Sequence, residues 1–453
     1  MKNSSVAVEN EEFQAAKFKK MTEEPVDKLI LELAVPTIIS MLITSIYNMA
    51  DTYFVGRIGT SATGAVGVIF PLMTLIQAVG FLFGHGSGNY ISRQLGARKT
   101  KECNEMASTG FFWSLAGGLI IMIVGLILGD TLAVLLGATD TILPYASDYL
   151  FYILFGAPIM TAAFTLNNQL RFQGNAFYGM IGIMTGGILN IVLDPVFIFV
   201  FDFGVAGAAM ATTLSQLISL IILIVFTNKK GIPLRFANIR FNLYYIKEII
   251  RGGLPSLFRQ GCSTISFVLL NHAAGIYGDA AIAAMTVVQR IVMFAFSAML
   301  GYGQGFQPVC GFNYGAKKYD RVKKGVSFCV KSSLIVLIVF AILGIIFAPN
   351  LVAAFRDDPE VIEIGTRTLR WQCLTFPLLG WVTICNMLTQ TIGYTVRASI
   401  LATSRQFIFF IPCLYILSAA FGLTGIECTQ SAADVISFFV SIAIGVDVLK
   451  KMN

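Results

Sequence analysis

Long apolar runs separated by short polar stretches dominate the pattern of this 453-residue chain. Each run exceeds the roughly 20 residues that an α-helix needs to cross a hydrocarbon core of about 30 Å. Twelve such runs can be delimited, at residues 29–54, 64–91, 110–136, 146–170, 178–201, 206–227, 249–276, 282–309, 327–353, 364–390, 399–420 and 425–448. The pattern predicts an all-α polytopic membrane protein with twelve transmembrane helices, called spans 1–12 below.

The composition agrees with this prediction and excludes other classes of protein. Apolar residues make up 56% of the chain and charged residues 13%, whereas soluble domains have about 45–50% and about 25%. A soluble globule, a disordered chain and a nucleic-acid-binding domain are therefore disfavoured. Residues 1–28 are polar and contain no cleavable signal, so we expect the first run to be retained as a span.

Charged residues in the connections predict the orientation in the membrane. Basic residues gather after spans 2, 6 and 8, whereas the connections on the opposite side hold mostly acids. The basic set is Arg93, Arg98, Lys99, Lys101, Lys229, Lys230, Arg235, Arg240, Lys247, Lys317, Lys318, Arg321, Lys323 and Lys324. By the positive-inside rule we expect a multi-pass protein of the cytoplasmic membrane with both termini in the cytoplasm.

An internal repeat divides the spans into two sets of six. A shift of 219 positions superposes Pro36 on Pro255 and, without a gap, the sequence GARK at 96–99 on GAKK at 315–318. An even number of spans per half makes the repeats parallel, with a central cleft expected between them. The predicted parts are a tail (1–28), an N-terminal bundle (29–227), a linker (228–248), a C-terminal bundle (249–448) and a second tail (449–453).

Asp194 is the strongest candidate for chemistry inside the membrane. It lies sixteen residues after Tyr178, hence about 24 Å into the bilayer at about 1.5 Å per residue. Asn190 precedes it by one helical turn, and Pro195 leaves the carbonyl of Ile191 without its usual donor. These oxygens are suited to bind a proton or a hard cation such as Na⁺. The alternative is an aspartate that only packs helices near the membrane surface.

Two more polar residues of the first half fall at a similar depth. Asp51 in span 1 and Thr212 in span 6 are predicted to share the site of Asp194, with Asn48 on the same face as Asp51. We find no acid at the matching positions of the second half and interpret its polar groups in the membrane as amides and hydroxyls. The candidate cavity residues are Asn48, Asn167, Asn271, Gln307 and Asn386.

Several enzyme motifs are absent from the sequence. There is no phosphate-binding G-x-x-x-x-G-K-[ST] loop, so the chain has no ATP site of its own. The eight cysteines form no C-x-x-C pair, and the two histidines, His85 and His272, fall at unlike positions of the two halves. We therefore expect neither an enzyme nor a nucleic-acid partner. Glycines at 80, 84 and 88, at four-residue spacing, predict close helix packing.

Four stretches together resemble the multidrug and toxic-compound extrusion (MATE) antiporters. They are NMADTYFVG (48–56), SRQLGAR (92–98), NIVLDP (190–195) and QPVCGFNYGA (307–316). The resemblance implies export of amphipathic, often cationic, organic compounds in exchange for H⁺ or Na⁺, with no other cofactor and no ATPase subunit. It also implies cation coupling at Asp51, Asn190, Asp194 and Thr212, with Na⁺ at the first three.

The resemblance further implies a bend at Pro36, and Pro195 is a second candidate hinge. Some branches of the family use an acid in span 7, but here that stretch reads GCSTISF (261–267). We therefore expect coupling through the first half. The main alternative is a lipid-linked oligosaccharide flippase of the same superfamily, which would have extra spans or a cationic cavity. A membrane enzyme using His85 or His272 is less favoured.

Overall fold

The computed structural model describes residues 15–452, a range that is helical and contains no strand. The long helices are α1 (Val26–Gly56), α2 (Thr60–Gly96), α3 (Thr100–Leu128), α4 (Leu143–Phe172), α5 (Ala176–Pro195), α6 (Gly204–Lys230), α7 (Leu243–Gly275), α8 (Asp279–Gly315), α9 (Tyr319–Ile346), α10 (Pro359–Ile392), α11 (Thr395–Thr403 and Phe410–Phe421, joined by the π-helical Ser404–Ile408) and α12 (Leu423–Lys450). These helices confirm the predicted all-α fold.

Eleven helices in the described range are long and apolar enough to cross a membrane. The twelfth, α7, has 33 residues but is less apolar. Its polar residues include Arg259, Gln260 and Asn271, and the first two contact other helices. A helix packed inside the protein tolerates such residues better than one surrounded by lipid. The protein is therefore a multi-pass membrane protein, with α7 completing the second set of six.

The repeat is visible in how the two halves touch. A Cβ atom on Gly96 would lie 2.1 Å from the carbonyl oxygen of Phe312, and one on Gly315 would lie 1.9 Å from that of Arg93. The 219-residue shift relates Gly96 to Gly315 and Arg93 to Phe312. Each contact is thus the other's equivalent, as two parallel repeats related by a pseudo-two-fold axis require. Only glycine fits at these close approaches.

Two asparagines predicted to face the cavity occupy equivalent positions within the two halves. Asn167 donates to the carbonyl of Gly179 at 2.9 Å, and Asn386 to that of Ala398 at 2.7 Å. These hydrogen bonds join α4 to α5 and α10 to α11. Each amide therefore links two helices within its half, because an amide group away from water is most stable when its donors are bonded. The cavity role of both residues stays a prediction.

The halves meet closely at one end, which carries the basic connections and is called the basic end. Here a Cβ on Gly253 of α7 would lie 1.8 Å from the carbonyl oxygen of Leu82 in α2. Arg93 also reaches across, donating to the carbonyl of Thr391 at 2.6 Å. Backbone contacts this close leave no passage between α2 and α7, so the cleft is closed at this end.

Farther from the basic end the halves separate. The hydroxyls of Ser45 in α1 and Ser297 in α8 lie 3.1 Å apart. One turn beyond, on the same two helix faces, Met49 is 42% exposed and Met293 55% exposed. The structure therefore has a cleft between the halves that is open at the end opposite the basic connections.

The N-terminal segment and the linker both lie against the basic end. Residues 15–23 are helical; the carbonyl of Met21 accepts a hydrogen bond from Asn313 at 3.1 Å, and Phe18 stacks under Arg98. In the linker, Arg240 pairs with Glu105 of α3 at 2.8 Å, and this carboxylate raises the pKa of the Arg240 guanidinium. The N-terminal segment thus contacts helices of both halves at the closed end, and the linker contacts α3 of the first half.

Candidate functional site

Glycines on α5 bring its polar residues close to α1 and α6. A Cβ on Gly187 would lie 2.7 Å from the Cγ2 atom of Ile43 in α1, and one on Gly186 would lie 2.9 Å from the Cβ of Ser219 in α6. Small residues at helix contacts allow backbones to approach each other in membranes. One and two turns farther along α5, this approach places Asn190 and Asp194 between the neighbouring helices.

Asn190 connects the predicted residues of α5 and α6. Its Nδ2 atom donates to Asp194 Oδ1 at 3.0 Å and to Thr212 Oγ1 at 3.2 Å. All three residues are buried, and Asp194 has no exposed surface. The structure therefore brings together three of the residues predicted to share a site, although they come from two different helices.

Asp51 of α1 lies beside Tyr149 of α4. The Tyr149 hydroxyl donates to Asp51 Oδ2 at 3.4 Å, and both side chains are buried. Tyr47 of α1 lies 3.3 Å from a Cβ on Gly187 of α5, and Asp51 and Asp194 follow one and two turns farther along these two helices. Four helices of the first half, α1, α4, α5 and α6, thus contribute to one polar site.

The site has more acceptor atoms than donors. Three buried oxygens, Asp51 Oδ1, Asp194 Oδ2 and Asn190 Oδ1, have no hydrogen-bond partner. Neither carboxylate forms a salt bridge with a basic residue in the described range. An unpaired carboxylate is costly to bury, so a cation is needed to balance it. Carboxylate, amide and hydroxyl oxygens suit both a proton and Na⁺.

Two acids of the second half are also buried, and the interpretation of its polar groups as only amides and hydroxyls was wrong. Asp434 of α12 pairs with Arg405 at 2.6 Å, and Glu427 of α12 pairs with Arg367 at 2.8 Å. Asp434 also accepts from Gln430 at 2.8 Å. Because an arginine neutralises each carboxylate, these acids have no need of a further cation, unlike the pair in the first half.

The remaining predicted cavity residues differ in their surroundings. Asn48 is half-buried on α1, and Asn271 is half-buried with its Oδ1 atom unpartnered. Gln307 of α8 is fully buried, with both polar atoms unpartnered. The structure places none of these three in hydrogen-bond contact with the aspartates.

The two predicted hinge prolines lie in different backbone contexts. Pro36 lies inside the continuous helix α1. Pro195 ends α5 and is followed by π-helical residues Val196–Val200. A π-helical turn after a proline is a local break in the regular hydrogen-bond ladder, a feature often found at functional sites.

Sequence reasoning missed Tyr149, Arg171 and Arg259 as members of polar clusters. Tyr149 lies between Tyr145 and Tyr152 at the start of an apolar run, and nothing in its sequence neighbourhood identifies its partner. Arg171 lies at the end of a span on the basic side, where the positive-inside rule already explains an arginine. The glycine stripe was predicted correctly, since Cβ atoms on Gly80 and Gly84 would contact α4 at 2.8 and 2.9 Å.

Comparison with known proteins shows similarity over nearly the whole chain. The sequence matches the MatE family over residues 36–196 and 255–416. Multidrug export protein MepA of Staphylococcus aureus (strain MSSA476) is 30% identical over 407 residues, which cover 89% of this chain and 90% of that protein. The two matched ranges begin at the prolines that define the repeat.

Solved structures share the fold over both halves. One is described as the outward-facing conformation of a multidrug resistance MATE family transporter of the MOP superfamily, with a TM-score of 0.91 and 26% identity. Another is a MOP superfamily transporter from Pyrococcus furiosus whose binding pocket is described as having reverse polarity, with a TM-score of 0.90 and 26% identity. Each alignment covers 96% of this chain and 98% of the other.

Proposed function

The chain belongs to the MatE family, and we propose that it is a multidrug exporter of the cytoplasmic membrane driven by an inward gradient of H⁺ or Na⁺. The observation that carries this proposal is the buried pair Asp51 and Asp194, which has free acceptor oxygens and no basic partner. The similarity to a multidrug export protein supports export of small organic compounds.

Alternating access gives the two halves their role in this proposal. With the basic connections in the cytoplasm, the cleft faces outward, and its closed end is cytoplasmic. The opposite state forms when the glycine contacts at the closed end separate and the outer parts of α1 and α8 approach each other. Two similar bundles that rock about a central site provide this motion.

The coupling site determines which state is favoured. A cation entering from outside neutralises Asp51 and Asp194, with Asn190 and Thr212 supplying further oxygens. The two unneutralised carboxylates repel each other inside the buried site, and the bound cation removes that repulsion. Cation binding therefore favours the rearrangement that follows outward release of the exported compound, and release of the cation to the cytoplasm resets the cycle.

Dye efflux from proteoliposomes tests this function and identifies the ion. The full-length protein is reconstituted, and a fluorescent cationic amphiphile is followed under a Na⁺ gradient and, separately, under an H⁺ gradient. We expect one of the two gradients to accelerate transport. Equal rates with and without either gradient would contradict coupled export.

The flippase alternative predicts extra spans or a cationic cavity. The described range contains the twelve long helices and no additional span, which favours the exporter. Two arginines, the buried Arg171 and the half-buried Arg259, have no carboxylate partner in the described range, and Arg171 donates to Gln304 of the other half.

A further inference from the structure

We propose that the closed end of the cleft contains an anion-binding site, in which Arg171 of α4 and Arg259 of α7 face a carboxylate or phosphate group. The inference deepens the proposed function and rests on it, because it adds a substrate feature to the exporter. Its physical basis is two cationic side chains, one from each half, without a carboxylate partner in the described range.

Arg171 is buried, with 2% of its surface exposed, and has only neutral partners. Its guanidinium donates to Asn168 Oδ1 at 2.6 Å and, across the interface between the halves, to Gln304 Oε1. Its Nε–H has no acceptor. A buried guanidinium is normally paired with a carboxylate or phosphate, because its charge is costly to remove from water.

Arg259 provides the second charge from the opposite half. It donates to Asn386 Oδ1 at 3.3 Å, a long hydrogen bond to another neutral group. Both arginines lie on helices packed against α2: a Cβ on Gly84 of α2 would lie 2.9 Å from Asn168 of α4, and Gln260 of α7 donates to Gln77 of α2 at 3.0 Å. Two like charges without a counter-charge destabilise the apo protein, and a bound anion between the halves removes that cost.

Further buried polar groups without partners lie on α2 and α8, the two helices at the centre of the interface between the halves. His85 and Asn89 are one turn apart on α2, as are Gln304 and Gln307 on α8. His85 Nδ1, Asn89 Nδ2 and Gln307 Nε2 all lack hydrogen-bond partners. The oxygens of the two amides, Asn89 Oδ1 and Gln307 Oε1, are unpartnered as well. With two guanidinium groups and no carboxylate partner in the described range, this cluster has the opposite charge to the site around Asp194.

The position of Gln304 suggests how the site is coupled to transport. Arg171 and Gln304 belong to different halves, so their hydrogen bond breaks when the basic end opens. The guanidinium then needs a new acceptor, and an anionic group arriving from the basic side can supply it. Closing of the basic end returns Gln304 to Arg171 and displaces that group towards the cleft and Arg259.

A matched pair of dyes tests whether the anionic group belongs to the substrate. Rhodamine 110 carries a free carboxylate, and rhodamine 123 is its methyl ester. Binding of each to the purified full-length protein is measured by fluorescence polarisation for wild type, Arg171→Gln and Arg259→Gln. We expect both variants to weaken rhodamine 110 binding by about tenfold or more and to leave the ester within about twofold, since a charge-assisted hydrogen bond is lost.

The residue equivalent to Arg171 in the second half is already a glutamine, as in the variant Arg171→Gln. The 219-residue shift relates Arg171 to Gln390, which donates to Ser256 Oγ at 2.8 Å and to the Gly252 carbonyl at 2.9 Å. Glutamine is therefore compatible with this position in the fold. Arg356→Gln, at an exposed position of the connection between α9 and α10, is the control and should change neither affinity. Arg171→Lys should retain part of the preference for the acid.

Inorganic phosphate at constant ionic strength tests the other source of the anion. A rise in melting temperature that Arg171→Gln and Arg259→Gln abolish, and Arg356→Gln does not, supports a site for a free anion. The proposal is overturned if phosphate acts equally on all four proteins and the two dyes respond alike to the arginine variants. Failure of wild type to bind even the ester contradicts the exporter function instead, and the phosphate measurement then decides the anion site alone.

Discussion

At the scale of single residues, the partners of the buried acids distinguish acids suited to cation coupling from acids that only stabilise the structure. Asp434 and Glu427 are neutralised by arginines at 2.6 and 2.8 Å. Asp51 and Asp194 have only neutral donors, and one oxygen of each carboxylate has no partner. A charge that the protein leaves unbalanced in its interior is a functional candidate, because folding alone does not favour it.

Thr212→Val tests whether the α6 hydroxyl is part of the coupling site. The change preserves shape but removes the oxygen that accepts from Asn190. Loss of one such interaction, about 1 kcal/mol, should raise the half-saturating cation concentration for efflux about fivefold. The control is Thr213→Val, because Thr213 donates to the Tyr152 carbonyl instead. Equal effects of the two substitutions would mean that Thr212 only packs α6.

Functional residues were predictable from the sequence where a polar side chain is rare inside an apolar run. Asp194 and Asn190 were found because a carboxylate and an amide one turn apart in an apolar run have few structural explanations. Tyr149 was not predicted, because the partner of its hydroxyl becomes apparent only when helices from distant parts of the sequence pack together. Asp434 and Glu427 were overlooked in an apolar run, and their arginine partners lie on other helices.

At the scale of the helices, α5 acts as the frame of the coupling site. Its glycines face α1 and α6, and its polar residues follow one to two turns later. The twelve apolar runs predicted the helices and their order, but not the π-helical segments Val196–Val200 and Ser404–Ile408. Apolar periodicity does not distinguish a π-helical turn from the α-helix that surrounds it.

Gly187→Val should impair the site without changing any polar residue. The new side chain must occupy space that Ile43 Cγ2 already fills at 2.7 Å. We expect α5 to move away from α1 and gradient-driven efflux to fall by about tenfold or more, because overpacking costs about 1–3 kcal/mol and the site geometry is lost. Gly67→Val on α2, where a Cβ would meet nothing within 4 Å, should retain activity. Unchanged efflux by the Gly187 variant would contradict the role given to this contact.

At the scale of the whole molecule, the repeat explains both the cleft and its closure. Equivalent glycines of the two halves contact each other's backbones at the basic end, whereas the outer ends of α1 and α8 remain apart. The sequence predicted the two bundles and a central cleft from a constant 219-residue shift. It did not predict which end is closed, because an unchanged sequence must be compatible with both states.

Gly253→Val should shift the molecule towards opening at the basic end. A Cβ at this position would lie 1.8 Å from a backbone oxygen of Leu82, which cannot rotate away. The readout is labelling by N-ethylmaleimide at Ser92→Cys, a fully buried position beside Gly311, in a protein whose eight native cysteines are replaced by alanine. Overpacking of about 1–3 kcal/mol predicts labelling at least about fivefold faster. The control is Gly261→Val, also on α7, where a Cβ would contact nothing within 4 Å. Equal labelling in both variants would contradict closure by this contact.

Energised efflux by Asp194→Asn tests the coupling mechanism most directly. The isosteric amide cannot carry the charge that a cation balances, and it is less costly to bury, so the variant should be at least as stable to heat as wild type. In proteoliposomes under the gradient that drives the wild type, we expect its efflux to equal the rate without a gradient. Asp140→Asn, at an exposed position, should behave as wild type. Efflux by Asp194→Asn at the wild-type, gradient-driven rate would contradict coupling at this site.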